Sequence, residues 1–145
     1  MRQPHEVLVV VRRGNCFLVL HRAPQSDAYW HLVAGGVEPG ETALEAAERE
    51  LFEEVALEAR GGLVDLARVF EYPLADETET VRARFAPEVA AVTVECFSVE
   101  VDPGWEPTLN DEHDGYRWCA RDEAAALLFW PEPRDLLLEL ADSVR

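Results

Sequence analysis

The stretch from Thr42 to Ala56 leaves this chain the least conformational freedom. Thr42 stands three residues before Glu45, the spacing at which each side chain serves the other's free backbone N–H and starts a helix. Leu44, Ala47, Leu51 and Val55 then recur at helical spacing and predict one apolar stripe turned to a core. On another face Glu50 and Glu54 fall one turn apart, about 40° on the helical wheel, with Glu53 about 60° from Glu50. Carboxylates this close repel, by about a few tenths of a kcal/mol for an i,i+4 pair, and no lysine in the helix offsets them. A hard divalent cation turns that repulsion into attraction. Mg²⁺ and Mn²⁺ take such oxygen ligands and keep positions for water and phosphate. Alone, a glutamate-rich helix is more often a solvated face, so the weight falls on its surroundings.

Those surroundings are specific. Arg49 precedes Glu53 by four residues and can hold its carboxylate in place. Ala43, Ala46 and Ala47 are small enough to leave room beside the carboxylates for a loop or ligand. Gly35 and Gly36, just ahead of the helix, can bring backbone close to a metal or substrate. Glu6–Arg12 and Cys16–His21 are rich in apolar and β-branched residues and flank Arg13-Gly14-Asn15, which predicts a β-hairpin. Further strands are expected over Tyr29–Val33, Leu63–Phe70, Val92–Val101 and Tyr116–Cys119, and closing helices over Asp122–Leu128 and Pro133–Ser143. The polar segment Glu71–Pro87 is long enough to be functional or to hide a strand. Strands interleaved with a few helices predict an α/β or α+β sandwich in one domain.

The chain has 145 residues, enough to bury a core without staples, and its 48% apolar content excludes disorder. Its formal charge of −16 disfavours nucleic-acid backbones and anionic lipid, though not a small polyphosphate escorted by cations. Cys16, Cys96 and Cys119 show neither disulfide nor zinc spacing and are expected as reduced thiols. No signal peptide or membrane span is apparent, so a soluble cytoplasmic protein is expected.

Taken whole, Gly35-x5-Glu41-x7-Arg49-Glu50-Leu51-x-Glu53-Glu54-x-Ala56-Leu57 resembles the Nudix box, G-x5-E-x7-R-E-U-x-E-E-x-G-U with U aliphatic. Ala56 is the one departure; the family usually has a glycine there that ends the helix, so the exchange alters local geometry and removes no ligand. The sequence is identified as a member of the Nudix hydrolase family, hydrolases that cleave phosphate–phosphate bonds in small organic di- and polyphosphates. The resemblance implies an α/β/α sandwich with a mixed sheet across residues 1–145. It implies Glu50 and Glu54 as the main ligands of Mg²⁺ (or Mn²⁺), with Glu53 beside them and oriented by Arg49.

Family members place a general base on the box helix or on a distant loop. Here Glu53 and Glu112 are the candidates, and Glu112 is a further metal ligand by the same resemblance. Arg22, Arg82 and Arg84 can clamp phosphates, and the Gly35-Gly36 backbone can approach the substrate. His21, His31 and His113 are expected as satisfied surface or core residues.

Arg84-Phe85-Ala86-Pro87-Glu88-Val89, Glu112-His113-x-x-Tyr116-Arg117-Trp118 and the run Tyr29–Glu38 are similar to the bacterial branch that hydrolyses dihydroneopterin triphosphate. Ala90-Ala91-Val92 departs from that branch, which has more polar residues there, and implies a less polar pocket. Asymmetrical diadenosine tetraphosphate hydrolases, nucleotide-pool cleaning and a non-catalytic binding module are the alternatives. Trp30, Phe85, Trp105 and Tyr116 are candidates for stacking a ring. The expected partner is a small polyphosphate, with no nucleic acid and no membrane, and a homodimer is compatible with the sequence.

Overall fold

β1 (His5–Arg13) carries the fold because both of its faces are apolar. Val7, Val9 and Val11 point to one side of the sheet and Leu8 and Val10 to the other, and all five are buried. A strand buried on both faces belongs at the centre of a covered sheet. The computed structural model, which describes residues 1–23 and 28–143, places it there. β1 runs antiparallel to β2 (Cys16–Arg22) at the hairpin end and to β4 (Val33–Gly36) at the other. It runs parallel to β6 (Ala91–Glu100) throughout. β3 (Trp30–His31) and β7 (His113–Ala120) pair with β2, and β5 (Val64–Pro73) pairs with β6. The main path reads β3-β2-β1-β6-β5. The sheet is mixed, as expected.

α1 (Ala43–Val55) covers one face, packing Ala46, Ala47, Leu51 and Val55 on Val7, Val9, Leu20 and Phe97. α3 (Arg121–Leu127) and α4 (Pro131–Ser143) cover the other through Ala124, Leu128, Leu136 and Leu137. Two details of the α1 expectation need correcting. Leu44 is 46% exposed and lies outside the core stripe. Ala46 and Ala47 are fully buried: their small size brings the helix close to the sheet and leaves no space for a ligand.

The polar stretch after β5 is partly ordered as a 3₁₀ turn (Leu74–Asp76) and the one-turn helix α2 (Glu79–Arg82). A small separate core of Leu74, Phe85 and Val92 holds it. Tyr29–Val33 is not one strand but gives way to β3 and β4, with Leu32 between them. The three cysteines are free, as expected. Among the described residues no helix is long and apolar enough to cross a membrane.

Both ends of α1 follow the sequence. The Thr42 hydroxyl accepts from the Glu45 N–H at 3.1 Å, and the Glu45 carboxylate accepts from the Thr42 N–H at 2.9 Å. At the other end Ala56 sits in the left-handed region, φ 61° and ψ 33°, while its N–H still donates to the carbonyls of Leu51 and Phe52. This is the geometry a glycine would adopt without a clashing Cβ. Ala56→Gly is therefore expected to stabilise the protein by about 1 kcal/mol, read in thermal unfolding as a melting temperature about 2–4 °C higher. A lower melting temperature would contradict this account of the helix end.

Candidate active site

The site starts at two glycines. Gly35 and Gly36 end β4, opposite Val7 and Glu6 of β1, and Gly35 lies against Glu50 of α1. A Cβ on Gly35 would overlap the carboxyl group of Glu50, so only glycine lets that carboxylate lie against the strand. A Cβ on Gly36 would stand 2.7 Å from Nε of Arg2, so that glycine makes room for an arginine.

Arg49 then ties loop to helix. Its Nε and Nη2 donate to the two oxygens of Glu41 at 2.7 and 2.9 Å, a forked pair. Nη2 also donates to the Gly36 carbonyl at 2.8 Å, and Nη1 to Glu50 at 2.8 Å and Glu53 at 3.3 Å. The Arg49 guanidinium holds the Glu41 carboxyl down at about 2. Arg49 thus reaches Glu53 as the sequence suggested, but its strongest partner is Glu41, at the far end of the loop.

Glu50 and Glu54 are 9% and 2% exposed, unusual for carboxylates on a helix. Burial pushes both above the ordinary carboxylate range. Glu54 is raised well above it, because burial is compounded by the hydrogen bond it shares with Glu50 and by the charges of Glu50 and Glu112, against a smaller opposing backbone bond at Ala34. A divalent cation seated on the pair would offset the mutual repulsion and the burial that raise both groups. His113 is buried beside it, Nε2 3.8 Å from the Glu54 carboxylate, and its pKa is pushed down to about 4, first by burial and then by Arg22. His31 is pushed down to about 3 by the same two causes, with a further contribution from His113. Its Nδ1 is buried with no hydrogen-bond partner among the described residues, contrary to the expectation of a satisfied histidine.

Among the described residues no cluster of three or more His, Cys, Asp or Glu side chains is gathered as a finished metal cage. Glu50 is drawn toward Arg49, and the Glu53 side chain is 52% exposed. The donor set nevertheless fits a hard cation: Glu50 and Glu54 offer carboxylate oxygens from one buried helix face, and Glu53 stands beside them.

Glu112 is exposed on the turn before β7, fixed by the Ala23 N–H, which donates to its carbonyl at 2.9 Å. Together with Glu50 and Gly35 it lines a cleft of about 720 Å³ that crosses the sheet from β3 to β5. At the β3 end stand Tyr29, Phe129 and Trp130, their rings 4.9–6.2 Å apart, together with His31 and Arg22. At the β5 end stand Arg84, Arg2, Glu6, Tyr72 and Glu77.

The structure therefore brings Glu50, Glu54, Glu53, Arg49, Gly35, Gly36 and Glu112 together and puts Arg22 and Arg84 on the cleft wall. Arg82 is not on that wall; it donates instead to the Glu77 carbonyl. None of the four proposed stacking residues lines the cleft. Trp30 packs on the core beside α4, Phe85 is buried in the small core, and Trp105 and Tyr116 lie by Trp118 and Glu106. Ala90, Ala91 and Val92 are also absent from the cleft wall, so their apolar character says nothing about the pocket. Arg2, Tyr29, Tyr72, Phe129 and Trp130 line the cleft but were not expected as site residues from the sequence. Phe129-Trp130, an aromatic pair set between two helices and before Pro131, was the one available signal.

Fold and site together define an α/β/α sandwich that sets acidic side chains at the middle of a cleft, aromatic at one end and arginine-bearing at the other. The NUDIX domain family matches residues 2–140, and the chain belongs to that family and is a pyrophosphohydrolase. It is 34% identical over 131 residues to dihydroneopterin triphosphate diphosphatase of Escherichia coli strain K12, covering 87% of this chain and 84% of that one. It is 33% identical over 125 residues to the asymmetrical bis(5'-nucleosyl)-tetraphosphatase of Rattus norvegicus, covering 85% and 76%. The solved structure of the E. coli dihydroneopterin triphosphate pyrophosphohydrolase superposes with a TM-score of 0.86 at 29% identity, over 99% of this chain and 98% of that one.

Two outcomes follow from this geometry. Gly35→Ala should leave the fold intact, because the atom displaced is the end of a flexible side chain, yet misplace Glu50 by about 1 Å and lower kcat/KM by about 100-fold. Unchanged turnover would dismiss the Gly35–Glu50 contact. The pKa of His31 is lower folded than unfolded, so between pH 6.5 and about 3 the unfolded chain binds the extra proton and acid destabilises the fold. His31→Asn should therefore make the urea midpoint fall less steeply between pH 7 and pH 5 than in the parent.

Proposed function

We propose that the chain releases pyrophosphate from dihydroneopterin triphosphate, with Mg²⁺ (or Mn²⁺) held by Glu50 and Glu54 and approached by Glu53 and Glu112. The polarity of the cleft carries this reading. A fused heterocycle fits against Tyr29, Phe129 and Trp130, and its phosphates extend past the carboxylates toward Arg84. The likeness to the E. coli enzyme over most of both chains supports the same substrate.

A bound divalent cation would neutralise phosphate oxygens and lower the pKa of a water molecule. Glu50 and Glu54 supply its protein oxygens. Arg49 holds Glu50 at the loop and keeps Glu53 near it. Glu53 and Glu112, both on the solvent side, are the carboxylates placed to accept the proton as water adds to phosphorus. The anhydride P–O bond breaks, and its electron pair leaves with pyrophosphate. Arg22 and Arg84 hold phosphates, and Gly35 and Gly36 serve the substrate by letting Glu50 and Arg2 lie against the strand. The net charge of −16 supports a small-molecule substrate without nucleic-acid or membrane partners. The reading takes residues 1–145 as one cytoplasmic Nudix domain, alone or as a homodimer. Dinucleoside polyphosphate hydrolysis is the second reading, supported by the likeness to the rat enzyme.

The test is product identification with Mg²⁺ over dihydroneopterin triphosphate, diadenosine tetraphosphate and nucleoside triphosphates. The proposal expects a clear preference for the first, with pyrophosphate as product. A preference for diadenosine tetraphosphate moves the assignment to the second reading. Glu54→Gln should reduce turnover by at least about 100-fold while melting no lower than the parent without metal, since a neutral amide replaces a buried carboxylate. Retained activity would remove Glu54 from the ligand set.

A further inference from the structure

We propose that Arg2, seated over Gly36, is a phosphate-binding residue that holds the leaving end of the substrate's polyphosphate. Four observations converge on it. Arg2 lines both the main cleft and a neighbouring cavity of about 460 Å³, whose wall includes Arg49, Glu50, Glu53 and Glu112. Its guanidinium therefore stands where the acidic helix face and the arginine-bearing end of the cleft meet. Gly36 gives it that seat, because a Cβ there would stand 2.7 Å from Nε and 3.0 Å from Nη2. The segment is pinned at the backbone, where the Arg2 N–H donates to the Arg84 carbonyl at 2.8 Å and sets both arginines on one rim.

The fourth observation is the Glu6 contact. Nη2 of Arg2 lies 3.4 Å from one Glu6 oxygen, longer than the 2.7–2.9 Å of a charge-assisted bond. The other Glu6 oxygen accepts from the Tyr72 hydroxyl at 2.8 Å. Glu6 thus steers the guanidinium loosely and leaves several of its N–H groups for an incoming anion. A guanidinium presents a fork that fits two phosphate oxygens. It lies at the end of the cleft away from Tyr29, Phe129 and Trp130, so the phosphates it meets are those farthest from the ring.

This inference rests on phosphate chemistry taking place in the cleft and not on the identity of the ring, so inorganic pyrophosphate is the probe. Calorimetric titration of pyrophosphate with Mg²⁺ present compares the parent with Arg2→Ala, Arg2→Lys and Gly36→Ala. Arg2→Ala should weaken pyrophosphate binding by about 10- to 100-fold, and Arg2→Lys should recover part of that loss by restoring charge without the fork. Gly36→Ala keeps the charge but moves the guanidinium, and should weaken binding at least about five-fold. With a triphosphate substrate, Arg2→Ala should raise KM more than it lowers kcat. Thermal unfolding of all three should stay near the parent's, which separates binding from folding. Binding within two-fold of the parent in Arg2→Ala overturns the proposal, as does a parent that binds no pyrophosphate. A parent that binds pyrophosphate but leaves dihydroneopterin triphosphate intact refutes the substrate reading alone, and Arg2 is then judged on the titration.

Discussion

The site depends on one guanidinium. Arg49 reaches the glycine strand, the loop and two carboxylates of α1 together, through Gly36, Glu41, Glu50 and Glu53. Its long side chain reaches back eight residues to Glu41 and ties the loop to the helix. Without it, Glu41 and Glu50 would face each other with no charge between them. The forked bond to Glu41 is strong because both partners are charged and the Arg49 side chain is 23% exposed, so water competes only in part.

What Arg49 organises is an unfinished electrostatic problem. Glu54 is nearly buried, Glu50 is close to it, and only one of the two is stabilised by the arginine. Packing creates the difficulty: α1 lies tightly on β1 and β4 through Ala46 and Ala47, and Gly35 lets Glu50 sink against the strand. A shared proton is one solution, and a divalent cation with phosphate ligands is the other. The same helix that covers one core of the sandwich therefore carries the reactive face, and structural tightness and chemistry cannot be separated there. An anion brought to that face meets arginines on the cleft wall in a molecule that is otherwise strongly acidic.

The helix was legible in the sequence because each of its signals is local. The Thr42–Glu45 box, the carboxylate spacing and the irregular Ala56 all act within a few residues and all appear in the structure. The central hairpin was legible because β1 and β2 are dense in β-branched and apolar residues. The cleft was not legible. Tyr29 and Phe129 are 100 residues apart in sequence and meet because β3 leans on the α3–α4 corner, where the Phe129 N–H donates to the Trp30 carbonyl at 3.4 Å. Arg2 looked like an ordinary polar residue until the β1–β4 register put it over Gly36. Trp30, Phe85, Trp105 and Tyr116, the aromatic residues expected to stack a ring, proved to be core or far-side residues, because residue type alone does not say which face of the sheet a side chain meets. Pairing across a sheet is long-range information that single-segment patterns do not carry.

The most direct test of the central claim, that the Glu50–Glu54 face held by Arg49 is a divalent-cation site, is the affinity for Mn²⁺ measured by electron paramagnetic resonance in the absence of substrate. The parent protein should bind Mn²⁺ measurably. Glu54→Gln should weaken that binding by about 100-fold through loss of a ligand, and Arg49→Lys by about 10-fold through loss of its orientation. Equal Mn²⁺ affinity in the parent and Glu54→Gln would contradict the account and move the cation elsewhere in the cleft.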